Sequence, residues 1–347
     1  MVDRAWFLIG VLGVVVVYGQ EPLFVPRDCS QDFIEYFSLS DCCNQQQKIQ
    51  DWFWYTKFVK LPTCDAAECS KRVIVGVIDF FEGDFSEKNN NYDDFYFRLN
   101  SSVEIMKNLT PEQSKGNHRS NNQKNKKASS QLMKNKKFVV DLLKKNHGMI
   151  ASVFIKLLAG AVEIIPISIP MHATLYDLQQ ACMKAVKLHA HVVYIGWQWD
   201  TTGANLEFKK SIEKMAREHF IVIAPAGNDA YIVQGVGYPA NSLSVVSVGA
   251  FGKHLNNLCA FSQMTKNSPV DFVMPGQNIA TVIWVPELQE YNIIKITGTS
   301  FAAALMTGYV AQLLTQSTKA KVLKTLKKTS RHLDSSWLSV VRYGTPL

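Results

Sequence analysis

Four residues whose types could together cleave an acyl bond are spread along this chain: Asp79, His147, Asn228 and Ser300. Gly298-Thr299-Ser300-Phe301-Ala302-Ala303 delivers a serine from a glycine turn into a small, apolar helical stretch. A hydroxyl at the mouth of a buried helix lies near its positive end and reaches a cleft, which suits a nucleophile. Taken alone, Gly-Thr-Ser is also a turn followed by an N-cap. Asp79 ends the β-branched run Arg72-Val-Ile-Val-Gly-Val-Ile-Asp79 and could be a turn acid. His147 precedes Gly148 and could be a loop histidine, and Asn228 follows Pro225-Ala226-Gly227 and could be a turn residue. As a set they supply what acyl transfer needs. Serine is a weak nucleophile until a base takes its proton, and an acid must hold that base in one tautomer. A fixed amide donor then holds the oxyanion.

These residues need elements to position them. The run ending at Asp79 reads as a buried parallel strand. Helical patterns cover His147 to Leu158, Leu175 to Ala190 and Leu206 to His219; strand patterns cover Val162 to Ile169, His191 to Ile195, Phe220 to Ala224 and Leu243 to Gly249. In this reading His147 and Ser300 each open a helix. Repeated alternation of strand and helix predicts an α/β fold: a mostly parallel central sheet with helices on both faces, three layers α/β/α. Ligands in such sheets bind beyond the carboxyl ends of the strands, where Asp79 and Asn228 fall.

The 347 residues suffice for one large domain or two ordinary ones, and a 47% hydrophobic content implies a substantial core. The formal charge is +8, but residues 101–137 hold nine Lys/Arg against two Asp/Glu. A near-neutral body with one basic segment does not predict a nucleic-acid surface. The segment from Ser86 to about Lys137 is rich in Asn, Lys, Gln and Ser and reads as a loosely ordered surface insertion. It carries the glycosylation acceptors Asn100-Ser-Ser and Asn108-Leu-Thr. Arg4 and the uncharged apolar run Ala5 to Tyr18 read as a secretory signal, with cleavage before Gln20; an uncleaved anchor is the other reading. No further stretch qualifies as a membrane span. Of seven cysteines, Cys29, Cys42, Cys43, Cys64 and Cys69 cluster near the N-terminus, while Cys182 and Cys259 stand alone. That usage fits an oxidising compartment, hence a secreted or secretory-lumen protein, and the odd count leaves one thiol unpaired.

An acid after a strand, His-Gly, Ala226-Gly227-Asn228-Asp229, Tyr238-Pro239-Ala240, Val245-Val246-Ser247-Val248-Gly249-Ala250, Phe261-Ser262, Val270 to Gly276 and Gly298 to Ala303 arrive in one order. That order resembles the subtilisin-like serine proteases (subtilases), in which the triad runs Asp, His, Ser along the chain. The resemblance extends from about Trp52 to about Leu333. It implies a serine endopeptidase with Asp79 as triad acid, His147 as general base, Ser300 as nucleophile and Asn228 as oxyanion donor. It implies protein or peptide substrates, with Gly196-Trp197-Gln198 and Pro225-Ala226-Gly227 flanking the pocket for the residue on the acyl side of the cut. It also implies Ca²⁺ as a candidate ligand, with Glu82, Asp84 and Glu87 as the nearby acids, at a spacing that matches no calcium loop. The sequence carries no signal of oligomeric state.

Departures from the family pattern are specific. Phe80 and Phe81 follow the acid where a small residue and glycine are usual. Met149-Ile150-Ala151-Ser152-Val153 replaces Thr-His-Val-Ala-Gly after the histidine. Phe301 and Ala304 stand where Met and Pro are usual, and Gly196-Trp197-Gln198 replaces Ser-Leu-Gly, which narrows the subsites. These departures motivate a second reading: a catalytically impaired subtilase fold that acts as a binding or decoy module. An α/β-hydrolase esterase is disfavoured, since that fold places Asp and His after a Gly-x-Ser-x-Gly serine. The predicted organisation is a signal over 1–20, a short Cys-containing segment or propeptide remnant over 21–50, a catalytic domain over 51–335 with its insertion at about 86–137, and a tail over 336–347.

Overall fold

The β-branched runs pair as parallel strands, as their continuous apolar character requires. A computed structural model of the chain describes residues 36–38, 55, 71–81, 92–109, 136–199, 206–233, 235–253, 258–264, 270–332 and 339–341. Strands β2 (Ile74–Asp79), β3 (Glu163–Ser168), β4 (Val192–Ile195), β5 (Ile221–Pro225), β6 (Val245–Phe251) and β7 (Phe272–Pro275) run parallel in the order β7-β6-β5-β4-β2-β3. Asp79 lies opposite Ser168, and Pro225 lies opposite Val248, so both the acid and the turn carrying Asn228 sit at the carboxyl edge. The helices are α1 (Tyr92–Leu109), α2 (Lys136–Ala159), α3 (Leu175–Lys187), α4 (Leu206–Glu218), α5 (Thr299–Gln316) and α6 (Lys319–Thr329). This is the expected three-layer α/β/α arrangement.

Helix α5 is buried along almost its whole length, from Thr299 through Ala311. A helix apolar on every side belongs inside the core. Ala302 to Met306 supply strong helix formers. Gly308 lets α5 approach α2: a Cβ there would lie 2.8 Å from the Ile155 carbonyl oxygen and from the Leu158 Cβ. Helix α3 begins with a capping box, in which Thr174 and Asp177 each satisfy the other's backbone N–H.

Four features differ from the sequence reading. Helix α2 starts at Lys136, so His147 lies within a helix and does not open one. The cause is that Val139, Leu142 and Leu143 continue the buried stripe upstream of the histidine. The polar segment beginning at Ser86 contains α1, which buries Phe95, Leu99, Val103 and Met106 at helical spacing. Each fully buried side chain of this kind contributes about 1.5–3 kcal/mol, enough to order a helix with polar flanks. A three-stranded antiparallel sheet joins β1 (Tyr36–Ser38), β9 (Glu290–Ile296) and β8 (Ile279–Val285), strands not anticipated from the sequence. Finally, β10 (Ser330–His332) and β11 (Ser339–Val341) extend the main sheet past β7, so the segment read as a tail adds a strand. The five N-terminal cysteines, the signal segment and Glu82, Asp84 and Glu87 lie outside the described residues. Cys182 is a buried free thiol, and the buried Cys259 thiol donates to Gln277 Oε1 at 3.6 Å.

Candidate active site

Asp79 leaves the end of β2 with 0% exposure, and its carboxylate faces His147 on α2. His147 Nδ1 stands 2.9 Å from Oδ1 and 2.8 Å from Oδ2 of Asp79. The Phe80 N–H also donates to Oδ1, at 2.7 Å. An Nδ1 held against a carboxylate carries the proton, so Nε2 is left as the acceptor. Burial alone would lower the histidine's pKa; the charge and hydrogen bond of Asp79 outweigh it and raise it above its ordinary 6.5. The two phenylalanines do not displace the acid. Phe81 turns inward over Gly148, where a Cβ would meet its ring at 2.7 Å, and its ring packs edge-on against Phe95 of α1. The Gly148 N–H donates to the Phe80 carbonyl at 3.0 Å, fastening α2 to the exit of β2.

Gly196, expected at the groove, backs the acid. A Cβ at this position would lie 2.2 Å from Asp79 Oδ2. Tyr194, fully buried on β4, donates its hydroxyl to the Ser300 carbonyl at 3.2 Å. Burial holds that phenol well above its ordinary pKa of 10.0, so it stays a neutral donor. Ser300 sits in the first turn of α5 and is 5% exposed. The next residue, Phe301, places its ring 5.3 Å from the His147 ring, so the departure after the serine packs on the imidazole.

Asn228 is 8% exposed and its amide is oriented by Thr299. The Thr299 N–H and hydroxyl both donate to Asn228 Oδ1, at 2.8 and 3.0 Å. An oxygen engaged by two donors leaves the NH₂ group as the amide's outward face. The Thr299 hydroxyl in turn accepts from the Gly227 N–H at 3.2 Å. Sequence reasoning assigned no role to Thr299. It also missed Gln263, fully buried, which accepts from the Asp229 N–H and donates to the Gly235 carbonyl. Its backbone N–H donates to the Gly227 carbonyl at 2.9 Å. Gly227 has φ +111°, a conformation that favours glycine, and its Cα faces both Gln263 and Gln198. Pro225 ends β5, and Ala226 is fully buried, its backbone bonded to Val248 and Gly237. Trp197 and Trp199 are buried on either side of Gln198.

The acid–histidine pair, the oriented asparagine and the serine helix thus gather at the carboxyl edge of one parallel sheet. The sequence pattern of the Subtilase family (peptidase S8) matches residues 142–344, more than half of the chain. The chain belongs to the subtilase family. A subtilase-type proteinase of Saccharomyces cerevisiae, RRT12, is 28% identical over 116 residues, which span 33% of this chain and 22% of that protein. Among solved structures, a cold adapted subtilisin-like serine proteinase superposes with a TM-score of 0.53 at 14% identity, covering 85% of this chain and 98% of its own. A lanthipeptide protease gives a TM-score of 0.53 at 16% identity, covering 82% and 90%. The PatG macrocyclase domain gives 0.51 at 16% identity, covering 86% and 91%. At these identities the likeness is one of fold.

Among the described residues, no group of three or more His, Cys, Asp or Glu could hold a metal ion. Among the same residues, no helix is long and apolar enough to cross a membrane.

Proposed function

We propose that this subtilase is a serine endopeptidase acting through Asp79, His147 and Ser300, with Asn228 in the oxyanion hole. The observation that carries the reading is the buried Asp79 carboxylate held 2.8 Å from His147 Nδ1. In this mechanism Ser300 Oγ attacks the scissile carbonyl while His147 Nε2 accepts its proton. The imidazolium that forms is stabilised by Asp79. The Asn228 NH₂ and the Ser300 N–H hold the developing oxyanion, and the amide needs no reorientation because Thr299 has already fixed it. His147 then protonates the leaving amine, and water repeats the sequence to release the acyl group. Peptide chains are the substrates, reached along a secretory route if the N-terminal apolar run acts as a signal.

Labelling with a fluorophosphonate tests this directly. The expected result is a single adduct on Ser300, abolished in Ser300→Ala with the melting temperature retained. Folded protein that takes up no label, and hydrolyses no peptide in a broad substrate panel, would favour the binding-module reading.

A further inference from the structure

The structure places one side chain in a slot beside the oxyanion asparagine. Gln198 follows β4 and stands between two buried tryptophans. The Trp199 indole N–H donates to the Ala173 carbonyl at 2.7 Å, and its backbone N–H donates to the Tyr238 carbonyl at 2.9 Å. The Gln198 side chain, half-buried, therefore has a fixed root. Its amide lies against two backbone walls. A Cβ on Gly237 would fall 1.7 Å from Gln198 Nε2, and a Cβ on Gly227 would fall 2.4 Å from Gln198 Oε1. Both walls must be glycine for the glutamine to lie there. The walls are joined to each other, because the Gly237 N–H donates to the Ala226 carbonyl at 3.1 Å.

The slot matters because of its neighbour. Gly227 immediately precedes Asn228, whose NH₂ faces outward from the Thr299 contact. A carbonyl carbon held between Ser300 and Asn228 carries its own Cα substituent on the acyl side, and the space adjoining Gly227 is where such a substituent would lodge. Two glycine walls would otherwise open that space to a large side chain. We infer that Gln198 fills this pocket and restricts the residue on the acyl side of the cut to glycine or alanine. The inference rests on the catalytic reading for the direction of the substrate, but the filled slot is a property of the folded chain.

The test uses pairs of peptides identical except for glycine or phenylalanine at the acyl-side position. Binding is measured to the Ser300→Ala protein, so that no turnover is needed. The parent chain is expected to prefer the glycine peptide at least about 10-fold, the scale of size discrimination in a packed pocket. Gln198→Ala empties the slot and should reverse that preference. Gln198→Leu refills it without an amide and should keep the preference for glycine, which also guards against Gln198→Ala misfolding. Equal ranking in the parent and Gln198→Ala would overturn the inference, as would a Leu variant that behaves like the Ala variant. Fluorophosphonate labelling of the Ser300-containing forms separates the two readings. Labelling with no change in preference sinks the pocket and keeps the enzyme. A changed preference with no labelling keeps the pocket and sinks the enzyme.

Discussion

Thr299→Val isolates the device that orients the candidate oxyanion donor. Valine keeps the β-branched shape and leaves the backbone N–H bond to Asn228 Oδ1 at 2.8 Å. It removes the hydroxyl that donates to the same oxygen at 3.0 Å and accepts from the Gly227 N–H at 3.2 Å. A buried N–H that loses its acceptor costs about 1–3 kcal/mol of stability. Loss of the second bond to Oδ1 loosens the amide by about 1 kcal/mol, or roughly fivefold in the fraction held ready. We therefore expect kcat to fall about fivefold with KM unchanged, since the oxyanion bond strengthens mainly in the transition state. Urea unfolding at constant m-value reads the stability change. Steady-state hydrolysis reads the rate in four forms: parent, Thr299→Val, Asn228→Ala and the double variant. By analogy with the oxyanion asparagine of subtilisin, Asn228→Ala should lower kcat by about 10²–10³. On that background Thr299→Val should change kcat no further, because no amide remains to orient. A fivefold loss on both backgrounds would show that Thr299 acts independently of Asn228 and would refute the reasoning.

Gly196→Ala should push a methyl group into Asp79 Oδ2, 2.2 Å from where the Cβ would sit. The shifted carboxylate should lower kcat toward the loss of about 10⁴ seen when a triad acid no longer fixes its histidine; a folded variant with parental kcat would contradict this placement of the acid. Hydrolysis should rise with pH to a midpoint above about 6.5, because the base must be neutral and its pKa is raised. Stability runs the other way: the His147–Asp79 pair contributes fully below about pH 6.5, and that contribution fades as pH climbs through the raised folded value. Asp79→Asn should lower the imidazole midpoint followed by NMR, and an unmoved midpoint would exclude Asp79 as the cause. Phe95→Ala should destabilise the chain by about 3–5 kcal/mol in urea unfolding, as for other buried aromatics; a loss below about 1 kcal/mol would mean that α1 is not part of the cooperative core.

Residues whose surroundings are local in the chain were readable in advance. The strand ending at Asp79 is a continuous apolar run, and α3 falls within the helical pattern expected over Leu175 to Ala190, burying Leu178, Ala181, Cys182 and Ala185. Helix α1 was legible in principle, since Phe95, Leu99, Val103 and Met106 keep helical spacing, but Asn and Lys around them masked the stripe. His147 read as the start of a helix because the segment before it is polar; the stripe through Val139 and Leu143 carries the helix across it. Thr299 and Gln263 were invisible as positioning residues for a different reason. Their partners lie far away in sequence, as with Thr299 and Asn228, 71 residues apart. No window along the chain contains both ends of such a bond.

The strand order carries a consequence for the chain as it is made. β2, which bears Asp79, sits between β3 and β4, and both are synthesised after it. Helix α5, which packs across β4 to β7, comes later still. At about 5–20 residues per second, Ser300 follows Asp79 off the ribosome by roughly 10–40 s. Throughout that interval the candidate acid lacks its candidate nucleophile, and pairings so distant in sequence are slow to form even when all strands are present. A growing chain therefore holds no complete cleft, and the polar residues at the carboxyl edge come together only when α5 docks. Any hydrolytic capacity therefore arrives late and all at once, with the docking of α5.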